Sequence, residues 1–287
     1  MFQHTNYTVH ASQDGSGLSG NLWADVLEPG LAPAGGNGGI FEGDDFNRFQ
    51  GFTNAISGVT GLPSTTVPGV DGYQIYVDSA TTASGVSRLA DVVGGVARFS
   101  PGATDNHLAI LGTNDLGRIS DGSGEKKRVM FEARVRFPTQ VTDGSVFIGL
   151  ASPGAIVDGG LIANDGALKA DQGGIGFRIK EDDPDGLDIV YQAASQTEQV
   201  VLNEAQVVSA DTWYKVGFKY DPFNAVASER IKFFIDNVEK GSYVTDTNIA
   251  AATFPDGDFL GVFLAAMTEG TTARLMDVDW WAYYQDR

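Results

Sequence analysis

The chain has 287 residues, 42% of them hydrophobic, with 37 acidic against 19 basic side chains and a formal charge of −18. That length can bury one substantial core, since all-β sandwiches run to about 200–250 residues as single domains, while the acidity opposes direct nucleic-acid binding, which needs clustered Lys and Arg. There is no cysteine, which excludes disulfides, thiolate metal sites and cysteine nucleophiles; no apolar window is long enough for a membrane-spanning helix. Residues 1–10 show no basic region followed by an apolar stretch of about 7–15 residues, so the expectation is a chain made and folded in a reducing cytoplasm.

Residues 1–45 hold Asp14-Gly-Ser-Gly17, Glu28-Pro-Gly-Leu-Ala-Pro33 and Ala34-Gly-Gly-Asn-Gly-Gly39. Gly and Pro at that density cannot build a packed layer unaided, which predicts an extended N-terminal arm over 1–45. Isolated apolar residues within it, among them Phe2, Tyr7 and Trp23, are costly to leave singly in water. They are expected either to insert as anchors into a neighbouring subunit or to fold back over the chain's own domain. The composition changes after residues 41–49, and the globular domain is placed at 46–287.

From there the chain reads as short strands separated by Gly, Asp, Pro and Ser, with no convincing helix. The predicted strands are 73–78, 96–100, 107–113, 128–137, 145–151, 174–180, 187–192, 213–221, 230–236, 259–267 and 273–284, with a hairpin turn over 236–241. In 129–137, Val129, Phe131, Ala133, Val135 and Phe137 share one face, and Glu132, Arg134 and Arg136 share the other. Tyr214, Val216, Phe218 and Tyr220 make a second apolar face, and Ile231, Phe233 and Ile235 a third. Residues 259–267 are apolar throughout, which predicts a strand covered on both sides. The pattern indicates an all-β protein, an antiparallel jelly-roll β-sandwich.

The ordered series Phe131-Glu-Ala-Arg-Val-Arg136, Val146-Phe-Ile-Gly-Leu-Ala151, Gly174-Ile-Gly-Phe177, Thr212-Trp-Tyr-Lys-Val-Gly-Phe-Lys219, Lys232-Phe-Phe-Ile-Asp236 and Asp277-Val-Asp-Trp280 resembles the concanavalin A-like lectin/glucanase jelly roll. More narrowly, it is similar to structural proteins of tailed-bacteriophage virions that carry this fold, including capsid decoration (cement) proteins and head fibres. The resemblance covers roughly residues 125–285. It implies a non-enzymatic protein on the capsid surface, the major capsid protein as partner, and a homotrimer. The alternatives are a glycan-binding, lectin-like module of a phage fibre or tail, or an inactive relative of a glucanase.

Retaining glucanases need two carboxylates about 5–5.5 Å apart, supplied in laminarinase-like families by a Glu-x-Asp-x-(x)-Glu strand. The nearest analogue is Asp277 and Asp279, which share a face at about 6.5–7 Å between Cα atoms; aromatic residues stand where the third carboxylate would fall. No catalytic residue is assigned. Glu181-Asp-Asp-Pro-Asp-Gly186 resembles a cation loop, but its twelfth position is Gln192, so it reads as an exposed acidic hairpin tip. His4, His10 and His107 are too scattered for a metal site, and the Gly-rich stretches lack the Lys-Ser/Thr ending of a phosphate loop. No cofactor or metal is assigned. Asp279, Trp281 and Tyr283, alternating along the last strand, are the candidate glycan platform or subunit interface.

Overall fold

Period-two alternation gives each strand one apolar face, and in the computed structural model these faces close between two antiparallel sheets. Residues 18–23, 39–46, 52–53, 73–77, 84–89, 95–120, 126–139, 144–157, 160–241 and 244–286 are described. The strands are β1 (Gly39–Asp44), β2 (Phe52–Thr53), β3 (Tyr73–Val77), β4 (Gly85–Arg88), β5 (Ala97–Ser100), β6 (His107–Thr113), β7 (Val129–Arg136), β8 (Gly144–Ala151), β9 (Gly174–Lys180), β10 (Asp183–Gln192), β11 (Gln199–Val207), β12 (Trp213–Tyr220), β13 (Ile231–Ile235), β14 (Val238–Glu239), β15 (Gly261–Thr268) and β16 (Met276–Asp286). The only α-helices among the described residues are the short α1 (Gly154–Val157) and α2 (Asp246–Ile249).

One sheet runs β14-β13-β12-β7-β16-β5-β4-β2, with β1 also paired to β16, and is nine-stranded; the other runs β11-β10-β9-β8-β15-β6-β3. This is an antiparallel jelly-roll β-sandwich. The predicted faces point as expected: Phe131, Phe218 and Phe233 enter the inter-sheet core. Their rings form a file with centroids 5.9 Å apart, which Phe177 extends across to the second sheet at 6.1 Å.

The apolar stretch ending in β15 is covered on both sides. Val262, Leu264 and Ala266 face the inter-sheet core, while Phe263, Ala265 and Met267 face a second cluster in which Ala155, Ile156, Leu161, Ile162 and Leu168 pack over the sheet's outer surface. The predicted hairpin is also present, with Asp236 and Asn237 both at positive φ between β13 and β14, the backbone a two-residue type I′ turn requires.

Two boundaries differ from expectation. β1 pairs with Trp281–Asp286, so the sheet begins inside the stretch read as arm. Leu22 and Trp23 are buried on the domain's own nine-stranded sheet, against Met130, Phe234 and Ala282. Trp23 therefore does not stand free as an anchor for a capsid neighbour; its segment takes the folded-back course. Phe2 and Tyr7 lie outside the described residues.

Candidate functional site: the outer face of the nine-stranded sheet

Outward positions of β7, β16 and β5 bring the predicted carboxylates beside a row of arginines. Asp277 lies opposite Arg98 on one side and Arg136 on the other. Its carboxylate, wholly buried, accepts from Arg98 Nε at 2.7 Å and Nη2 at 2.9 Å, and from Arg136 Nη2 at 2.6 Å. Bidentate contacts of this kind are the strongest form of ion pair, and the bond to Asp277 is the main cause of the raised pKa of Arg98. Asp279 pairs with Arg134 Nη1 at 2.5 Å. Arg134 and Arg136 both lie over the Trp213 ring, 4.6 and 4.8 Å from its centroid. Trp213 was not singled out in the sequence, although strict alternation through β12 places it on the same face as Lys215 and Lys219, opposite Arg136.

The proposed platform of Asp279, Trp281 and Tyr283 is not assembled. A register shift between Val278 and Trp280 inserts one extra residue and reverses the parity of everything after it. Asp279 stays outside with Arg134, whereas Trp281 and Tyr283 turn into the inter-sheet core. The Trp281 indole donates to the Tyr73 hydroxyl at 2.8 Å, and burial raises the Tyr283 pKa. Neither ring offers a face to a sugar.

A polar cleft of about 380 Å³ does open on this face, lined by Asn21, Lys219, Asn224, Glu229, Lys232, Phe234 and Glu239. It sits at the small end of ligand pockets, which span about 300–1,000 Å³. Its side chains are mutually engaged: Lys232 reaches Glu239 at 3.2 Å and Glu229 at 3.7 Å. The acidic stretch at 181–186 forms the β9–β10 hairpin, with Lys180 opposite Asp183. Among the described residues no group of three His, Asp or Glu side chains comes together as a metal site.

Away from this face, Glu269 follows β15 and is buried. One carboxylate oxygen accepts from the Ser145 hydroxyl at 2.7 Å, and the other has no hydrogen-bond partner. Burial pushes its pKa up to about 7, aided by nearby Glu181, Asp165 and Asp105, while Ser145 opposes the shift. The folded state therefore holds this proton more tightly than the unfolded chain, whose Glu titrates near its ordinary value of 4.5. The favourable contribution is complete below that value and is lost as pH rises through about 7. Glu269→Gln should raise Tm at pH 8, by about 2–4 °C for each kcal/mol recovered, and change it far less at pH 4. Equal effects at both pH values in a thermal melt would contradict the assignment.

No protein-family model matches the chain, and no curated protein matches it. Among solved structures, endo-β-1,4-glucuronan lyase from the fungus Trichoderma reesei aligns at 14% identity and a TM-score of 0.49, over 77% of this chain and 93% of the lyase. Peanut lectin aligns at 12% identity and a TM-score of 0.49, over 86% of this chain and 97% of the lectin. Endo-1,3-β-glucanase from Streptomyces sioyaensis aligns at 13% identity and a TM-score of 0.47, over 88% of this chain and 99% of the enzyme. Likeness at this level carries no activity across to this chain.

Proposed function

We propose that this chain is a non-enzymatic structural protein of a tailed-phage virion, binding the outer surface of the capsid and stabilising it. The observation that carries the non-catalytic part is how the closing strand's acids are engaged. Asp277 is enclosed between Arg98 and Arg136, and Asp279 rests on Arg134. A nucleophile or general acid must face its substrate; Asp277, wholly buried, does not, and Asp279 is turned onto Arg134.

The virion assignment is supported by the ordered strand motifs, which supply β7, β8, β9, β12, β13 and β16 of the sandwich. Its partner would be the major capsid protein, and trimers seated where capsid subunits meet would stabilise the shell by binding it better than free subunits. With Trp281 and Tyr283 in the core and Asp279 outside, the alternative reading, a glycan-binding lectin-like module, does not rest on these three residues.

Incubation with a panel of β-glucans and bacterial polysaccharides should release no reducing sugar. Turnover that disappears in Asp277→Asn or Asp279→Asn would overturn the non-enzymatic reading.

A further inference from the structure

The outer face of the nine-stranded sheet holds a built seat for a short peptide, and residues 18–23 occupy it. Leu22 fills a notch over Gly217, where an added Cβ would lie 2.6 Å from Leu22 Cδ1. Trp23 packs beside it on Met130, Phe234 and Ala282. One oxygen of the buried Glu132 carboxylate accepts both the Ser19 amide at 3.0 Å and the Trp23 indole N–H at 2.7 Å. At the other side, the Asn21 amide donates to Asn237 Oδ1 at 2.8 Å, and Asn21 Nδ2 donates to the Asn237 carbonyl at 2.9 Å. The Trp23 amide closes on the Ser19 carbonyl at 3.1 Å, so the peptide arrives as one folded turn.

A glutamate on the outer face of a sheet is ordinarily solvated; here the docked turn covers it, and burial raises its pKa against the opposing bonds from Ser19 and Trp23. These recognition contacts run between residues 18–23 and the sheet, so the seat reads the turn itself. An identical turn from another copy makes the same contacts. What favours the chain's own turn is effective concentration, set by the tether between Trp23 and Gly39. Those fifteen residues, 24–38, reach on the order of 50 Å at most, about the diameter of a globular domain of this length.

We propose that this seat is an exchange site, and that at high local concentration the Ser19–Trp23 turn of one copy docks on Glu132, Gly217 and Asn237 of a second copy, linking the two.

The chain has no cysteine, so introduced thiols report without background. A chain carrying both Asn21→Cys and Asn237→Cys, treated with oxidised glutathione when dilute, should close an internal link and migrate faster on a non-reducing gel. Single-cysteine chains of different tag length, mixed when concentrated, should give the 21–237 cross-linked dimer in clear excess over 21–21 and 237–237 dimers. Glu132→Leu in the Asn237→Cys chain should remove that excess. Internal closure with only statistical pairing in the mixture overturns exchange. Failure to close, in a chain whose circular dichroism matches the parent, overturns the seat. A second readout leaves the Asn237 turn untouched: Glu132→Leu chains lack an intact seat and Trp23→Ala chains lack an intact turn, so a complex found only in their mixture supports exchange. Its absence in sedimentation, with both variants folded, contradicts exchange.

Discussion

Replacing Arg178 with Met is expected to cost about 3–5 kcal/mol of stability, lowering Tm by on the order of 10 °C. Arg178 projects from β9 onto the outer surface of the seven-stranded sheet and is only 2% exposed. Its Nη2 reaches Asp188 on β10 at 2.8 Å, and its Nη1 reaches Glu198, just before β11, at 2.5 Å. Both acids are bound further: Asp188 Oδ1 accepts the Glu204 amide at 2.9 Å, and Glu198 Oε2 accepts the Leu168 amide at 2.7 Å. One guanidinium thus ties together β9, β10, β11 and the segment covering the sheet. Met fills much of the same volume but leaves Asp188 a buried anion without its cation, and that desolvated charge is the main cost. Arg178→Met with Asp188→Leu should recover much of the loss, because the pair disappears together. A single variant melting like the parent in chemical denaturation would mean that the triad is not a structural tie. By contrast, Arg98 and Arg136 around Asp277 remain 30% and 21% exposed, so water can reach them if Asp277 is removed, and the corresponding loss should be smaller.

Gly176→Val is expected to be still more damaging, leaving little or no soluble folded protein. Gly176 on β9 lies opposite Gly149 on β8 and Val190 on β10, inside the seven-stranded sheet. A Cβ there would stand 2.4 Å from the Ile148 carbonyl oxygen and 2.8 Å from Gly149 Cα. These obstacles are backbone atoms, so no rotamer change relieves them and the strands must separate. Gly149 reports the same contact from the other side, with a Cβ 2.3 Å from the Ile175 carbonyl oxygen. Gly241, with nothing within 4 Å of an added Cβ, is the matched control: Gly241→Ala should stay within about 0.5 kcal/mol of the parent. A soluble, normally melting Gly176→Val chain would contradict the close approach of β8 and β9.

The strands legible in the sequence are those with uninterrupted alternation. In β7 and β12, adjacent residues belong to opposite faces throughout, so parity gives the inward face, although Met130 and Glu132 on the outward face of β7 are buried as well. β11 escaped notice because its side chains are half-buried or exposed along its whole length and its pairing with β10 shifts register twice, which erases the period. β1 lay hidden beside Gly/Pro-rich sequence, and what makes it a strand is pairing with the far half of β16, a partner more than two hundred residues away. On the candidate site, parity counted from Asp277 puts Asp277 and Asp279 on one face, as found, but fails beyond Asp279, where one bulge residue sends Trp281 and Tyr283 into the core. The Trp23–Glu132 bond spans 109 residues, and no local pattern announces such a contact.

The proposed function is tested most directly by quantitative mass spectrometry of virus particles purified from a lysate in which the chain is made. A decoration protein should be present at a copy number on the scale of the capsid lattice and should remain with the head when tails are removed. Absence from the particle, or a copy number suited to a single tail or fibre, would contradict the capsid-surface account.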